Sequence, residues 1–176
     1  MTKLKLITLA LVALLPGTAA AQGPISVADA LFAQHDARLL PPADRTEIAA
    51  LLPMSLQAGE IVSNIPGCAG KPMRASVAIA DMNLDGVPEI LVHAGNACTS
   101  GMTGASVWLF GKGLDGRWRE YLNAAAADFA VLESRVQGWN ELALAGRSEC
   151  VGVWQHRSDR FVFSRTVTPE GRPCTP

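Results

Sequence analysis

Ala75-Ser76-Val77-Ala78-Ile79-Ala80, then Asp81-Met82-Asn83-Leu84-Asp85-Gly86-Val87-Pro88-Glu89, then Ile90-Leu91-Val92-His93 decide how this chain reads. Two short apolar runs flank a polar turn that contains Gly and Pro. Runs of this length, bounded by Asp, Asn, Gly and Pro, read as β-strands. The strands are expected over 75–80 and 88–93.

The pattern continues downstream. Ser106 to Phe110 and Gly116 to Leu122 read as strands joined by a Gly-rich hairpin turn at Lys112 to Gly116. Ala124 to Phe129 reads as a short helical turn. Glu141 to Leu144, Val151 to Gln155 and Arg160 to Ser164 resume the strand pattern. Short strands at regular spacing, each followed by a turn, indicate an antiparallel meander. Upstream, Ser26 can cap a helix over Val27 to Gln34, with Asp29 in its first turn. After Pro41 and Pro42 a second helix, Ala43 to Leu52, is stopped by Pro53. Residues 56–73 hold Gly59, Pro66, Gly67, Gly70 and Pro72, and read as an irregular linker. The expected fold class is therefore α+β, a mostly antiparallel β meander with short N-terminal helices. Residues 22–73 form a helical segment and linker, and 74–176 the β-rich part of the same domain.

The first 21 residues read differently. Lys3 and Lys5 precede an apolar run from Leu6 to Leu15, Pro16 and Gly17 break it, and Thr18-Ala19-Ala20-Ala21 offers small residues for cleavage. This is the three-part secretory signal, and a membrane span would need about 20 apolar residues. Cleavage is expected after Ala21, leaving Gln22 to Pro176 with 13 basic and 16 acidic residues, a net charge of −3. A weakly acidic chain without a basic stripe argues against nucleic acid as a partner. No further run is long enough to span a bilayer once the signal is removed. The expected location is periplasmic or secreted.

Four cysteines, Cys68, Cys98, Cys150 and Cys174, suit an oxidising compartment. Of the three possible pairings, Cys68–Cys98 and Cys150–Cys174 each bracket a stretch that reads as a hairpin. A metal site with His93 or His156 is the rival reading, but no C-x-x-C or zinc-type spacing is present.

The meander also contains an internal echo. Asp85 to Val92 lies over Gln137 to Leu144: both read Gly, two residues, Glu, then an apolar strand. Ser106-Val107-Trp108 then matches Gly152-Val153-Trp154, and Gly116 to Arg119 loosely matches Asp159 to Val162. A period of about fifty residues suggests repeated β units. Two units are too few for a propeller, so the expectation is two related halves.

The loop between the first two strands carries the most pointed chemistry. Side-chain oxygens recur at Asp81, Asn83 and Asp85, and Gly86 permits the turn that wraps them around one point. The Val87 carbonyl and the Glu89 side chain can complete a shell of hard oxygens, the ligand class calcium takes. The same residues also make an ordinary hairpin turn whose side chains cap the backbone. An EF-hand would need Glu at the twelfth position, here Val92, and flanking helices. Strand, D-x-N-x-D-G-x-x-E, strand instead resembles the loops of the FG-GAP and VCBS repeat proteins. That resemblance implies calcium bound by Asp81, Asn83, Asp85 and Glu89, with Val87 contributing its carbonyl. In the second half Gln137, Ser134 and Arg135 stand where ligands would be, so that copy is not expected to bind a cation.

Signs of catalysis are sparse. There is no G-x-S-x-G, no phosphate loop and no H-E-x-x-H. His35, His93 and His156 lie far apart in sequence, and the chain is not expected to be an enzyme. Trp108 and Trp154 occupy matching sites of the repeat and read as core. Trp139, in a loop after Gly138, is the tryptophan expected nearest the surface. The expected function is an exported binding or interaction module, its partner an unknown protein or a cell-wall ligand, with a possible calcium loop. The alternatives are an inhibitor of a secreted enzyme and a periplasmic hydrolase. The hydrolase requires Asp81 or Glu89 to meet His93 or His156 in a cleft. The binding module requires an exposed patch near Trp139 or the small-residue loop 96–104.

Overall fold

A computed structural model describes residues 26–33, 37 and 40–174. The expected leader, Gln34 at the expected end of the first helix, and His35 lie outside these residues. Ser26 caps α1 (Val27–Leu31) through a reciprocal capping box with Asp29. α2 (Pro42–Leu51) starts one residue earlier than expected, because Pro at the first helical position has no amide to leave unpaired. No helix among the described residues is long and apolar enough to cross a membrane.

The expected linker at 56–73 is not irregular throughout. It holds most of a hairpin, β1 (Met54–Gln57) with β2 (Glu60–Ser63). Ala58 and Gly59 both take positive φ, the turn geometry that matches strand twist in a two-residue hairpin. After β2, Cys68 is joined to Cys98, and Val62 bridges Pro72.

Two four-stranded antiparallel meanders follow. The first runs β3 (Arg74–Ala80), β4 (Glu89–Gly95), β5 (Ser106–Lys112) and β6 (Trp118–Ala125). The second runs β7 (Asp128–Val136), β8 (Trp139–Ala145), β9 (Val151–Arg157) and β10 (Arg160–Val167). The helical turn expected at 124–129 is absent. Ala124 pairs with Val107 in β6, and Phe129 pairs with Leu144 in β7. Alanine's helix preference is weak, and ladder pairing overrides it here. Only Ala126 and Ala127 separate the two sheets. Ala126 N–H donates to the Ala105 carbonyl, just before β5, and Ala127 N–H to the Ala145 carbonyl at the end of β8.

Alternation along the strands builds two apolar layers. Ile90, Val92, Trp108, Phe110 and Trp118 point toward Leu31, Phe32, Ile48, Leu52 and the β1–β2 hairpin. Leu91, Val107 and Leu109 point the other way, toward Leu142, Leu144 and Phe161. The stretches that match in sequence occupy corresponding strands. Trp108 faces the helices, and Trp154 packs against the layer shared with the first sheet. The halves are thus stacked face to back, like successive leaves. At the seam, Trp139 stacks on His156 at 4.0 Å between ring centroids, with Tyr121 and Phe161 edge-on to the indole. Trp139 is half-buried there, and the exposed aromatic of the second sheet is Phe163.

Both disulfides pair as expected, Cys68–Cys98 and Cys150–Cys174. The second holds the tail where Cys174 N–H donates to Thr166 and Pro173 bridges Val167. Closing a loop of this size removes chain entropy worth roughly 3 kcal/mol. The Cys150→Ser, Cys174→Ser double variant is therefore expected to lose about 3 kcal/mol of unfolding free energy in a urea titration, with the first sheet still formed.

Candidate functional site

The β3–β4 loop, residues 81–88, is anchored near its ends, through Met82 and Glu89. Met82 is fully buried in the layer between the sheets. Its carbonyl accepts from Asn140 N at 2.7 Å, tying the loop to β8, and its amide donates to Glu89 Oε2 at 2.7 Å. Beyond this plug the chain turns outward. Leu84 and Gly86 take left-handed φ of 60° and 85°. Leucine is uncommon in that region, and its side chain here is largely exposed.

The loop's oxygens are engaged with its own amides. Asp81 Oδ2 accepts from Gly86 N at 3.0 Å, Asn83 Oδ1 from Asp85 N at 2.9 Å, and Asp85 Oδ1 from Val87 N at 2.7 Å. Asn83 Nδ2 donates to Asp85 Oδ2 at 2.8 Å. This is the side-chain-capped turn that the residue types allow. Among the described residues, no three His, Cys, Asp or Glu side chains converge closely enough to hold a metal ion.

Two oxygen-bearing groups remain unexplained by the turn. Asp81 Oδ1 is buried and has no hydrogen-bond partner. Glu89 is 3 % exposed, and no cationic side chain pairs with it among the described residues. Burial, and then the nearby Asp85 and Asp81 carboxylates, push its carboxyl up to about 7. The donors are hard oxygens, so their chemistry fits a hard divalent cation, although their arrangement does not converge on one.

The second half gives the contrast. Glu141 stands where Glu89 does in the repeat and is equally buried. Its Oε2 accepts from Ser134 Oγ at 2.7 Å and from Arg165 Nη2 at 2.8 Å, and Arg165 Nη1 takes Oε1. Arg165 and Ser134 hold this carboxyl below the usual range. The turn is cut to Gln137-Gly138, both at positive φ. One half carries its own cation, and the other has none among the described residues. Sequence reading named Glu89 but not Arg165, since nothing in spacing links a glutamate to an arginine 24 residues away.

The two described histidines do not join the loop. His93 Nε2 lies 3.2 Å from the Ala126 carbonyl oxygen, and His156 is stacked on Trp139. Neither hydrogen-bonds Asp81 or Glu89, so the pairing the hydrolase reading requires is not formed among the described residues. His35 lies outside them. The 96–104 segment forms a short helix, α3 (Ala97–Ser100), and a 3-10 turn. Asn96 caps the helix, Cys98 is cross-linked, and Met102 is exposed. No family model, curated protein or solved structure matches the chain.

The raised Glu89 carboxyl fixes a pH dependence. The unfolded chain releases this proton near 4.5 and the folded one near 7. The folded state is therefore favoured below the lower value, and that advantage is lost as pH rises through the upper one. In chelator, wild type is expected to lose on the order of 1–3 kcal/mol relative to Glu89→Gln between pH 4.5 and 8, read by urea titration at each pH.

Proposed function

We propose that the chain is an exported binding module whose β3–β4 loop is stabilised by calcium, in the manner of the FG-GAP and VCBS loops its sequence resembles. The supporting observation is the pair of half-sites. Glu141 has Arg165 as its cation, whereas Glu89, at the equivalent position, has none among the described residues and is close to a buried Asp81 oxygen without a partner. A divalent cation would neutralise Glu89, Asp81 and Asp85. Asp81, Asn83 and Asp85 would trade loop amides for the ion, with the Val87 carbonyl completing the shell. The energetic benefit is relief of buried negative charge, which is costly unless paired. Two disulfides and the leader-like N-terminus favour a compartment outside the cytoplasm. The module's larger partner is then a protein or a cell-wall component.

Binding only to the folded state raises stability as RT ln(1 + [Ca]/Kd). A melting temperature that climbs with calcium in wild type, and stays flat in Asp85→Ala, is the expected outcome. Isothermal titration is expected to give one site with a Kd of roughly 0.1–1 mM, the range of extracellular modules. Absence of heat and of a thermal shift at about 10 mM calcium would sink the calcium reading.

A further inference from the structure

The two four-stranded sheets leave four edges, β3, β6, β7 and β10. An edge strand shows unpaired N–H and C=O groups and can take up another strand unless something guards it. Three of these edges are guarded. β7 is bulged between Val131 and Arg135 and carries Asp128, Glu133 and Arg135. β10 is bulged between Phe163 and Arg165, and the disulfide-held tail bridges it at Pro173. β6 meets β5 across a bulge and exposes Arg119, Glu120 and Asn123. β3 has none of these devices. Its register with β4 is unbroken from Arg74 to Ala80, and Ala75 to Ala80 holds no charge and no proline. These six residues are all partly exposed.

Hydrogen bonds just before the strand fix the direction of its open groups. Ser63 N–H donates to the Lys71 carbonyl and Met73 N–H to the Ile61 carbonyl, on the side of β2. The Pro72 carbonyl between them accepts from Asn96 Nδ2, at the end of β4. Peptide groups alternate in direction along an extended strand. Arg74, Ser76, Ala78 and Ala80 therefore turn theirs toward β4, and Ala75, Val77 and Ile79 turn theirs outward. β2 uses this side only as far as Met73, with Val62–Pro72 as its bridge to the strand. Among the described residues, no other backbone group pairs with the outward N–H and C=O of Ala75, Val77 or Ile79.

Charge selects the occupant. Arg74 stands at one end of β3 and forms no ion pair among the described residues. Asp81 follows the other end, with Asp85 beyond it. An antiparallel neighbour is best matched when it carries an acid beside Arg74 and a base beside Asp81. β3 itself has that order. We propose that the chain pairs with a second copy of itself through β3, antiparallel about a two-fold axis at Val77. Val77 then faces Val77 of the other copy, Ala75 faces Ile79, and each Arg74 lies opposite Ala80, next to Asp81. In this register every outward N–H and C=O of Ala75, Val77 and Ile79 gains a partner. An axis at Ala75 would run the neighbour into β2, and one at Ile79 would run it into the β3–β4 loop. The axis stands normal to the sheet. Ala75, Val77 and Ile79 thus stay on the helix side in both copies, and Ala78 and Ala80 on the side of the second sheet. Both apolar layers continue across the joint, and the pairing does not require an ion in the loop.

The test uses the chain from Gln22 with its disulfides formed, in chelator, so that its outcome is separate from that of the calcium reading. Sedimentation equilibrium is expected to show monomer and dimer exchanging with a Kd of roughly 10 µM to 1 mM, as suits a small interface. Amide exchange, read by NMR at about 50 µM and about 1 mM protein, locates the joint. The Ala75, Val77 and Ile79 amides are expected to exchange freely at the lower concentration and to slow at the higher one. Ser76 and Ala78, paired with β4, stay protected at both. Ala75→Pro removes an outward donor without touching the β4 ladder, and is expected to abolish the dimer while Ser76 and Ala78 stay protected. Arg74→Glu sets like charges together at both ends and is expected to weaken the dimer about tenfold, while Arg74→Lys changes it less than about twofold. If Ala75→Pro fails to fold, the exchange pattern of the wild type and the Arg74 pair still decide. A chain that stays monomeric with these three amides unprotected leaves the edge to a strand of another protein and overturns the self-pairing. Protection of the three amides already at the lower concentration without dimer, concentration-dependent protection on another element, or an Arg74→Glu dimer as tight as wild type overturns it too.

Discussion

Everything in this molecule hangs on the apolar layer between the two sheets. Leu91, Val107 and Leu109 from one side and Leu142, Leu144 and Phe161 from the other exclude water completely or nearly so. Because β4 and β5 are then buried on this face, their opposite residues, Ile90, Val92, Trp108 and Phe110, also need a cover. α1, α2 and the β1–β2 hairpin supply it. Removing either layer would expose large side chains worth roughly 1.5–3 kcal/mol each. Met82 extends the layer into the β3–β4 loop, so the candidate site is an outgrowth of the core.

The repeat explains why the two halves differ where they do. Stacked face to back, each sheet offers the other a different surface, and identical loops would not have equivalent surroundings. The second half has shortened its turn to two residues and recruited Arg165 from β10 to its buried glutamate. The first half has kept eight residues between its strands, and its glutamate relies on a backbone amide. The same buried carboxylate has two environments, an ion pair with Arg165 in one half and a backbone amide in the other.

Much of this was legible in sequence where local pattern and final environment agree. The apolar alternation of 75–80, 106–110 and 151–155 predicts strands because those residues do line apolar layers. The duplication is visible because Gly and Glu recur 52 residues apart and the strand-borne Trp recurs 46 residues apart. The β1–β2 hairpin was hidden by the glycines and prolines that follow it. β7 was missed because an edge strand carries mostly exposed residues, such as Asp128, Glu133 and Arg135, and so lacks the apolar signal. Of the site, the oxygen spacing at 81, 83 and 85 could be read directly, because neighbours in the loop are neighbours in space. Arg165 could not, since it lies 24 residues from Glu141.

The order of the disulfides carries a consequence for how the molecule is made. Each bond joins cysteines that are consecutive along the chain: Cys68 with Cys98, then Cys150 with Cys174. A polypeptide threaded into an oxidising space from its N-terminus meets the correct partner each time the next thiol emerges. With that connectivity the first bond can close before the third cysteine appears, and no pairing then has to be reshuffled. Consecutive pairing of this kind places the least demand on disulfide isomerisation, because the order of emergence and the order of pairing coincide.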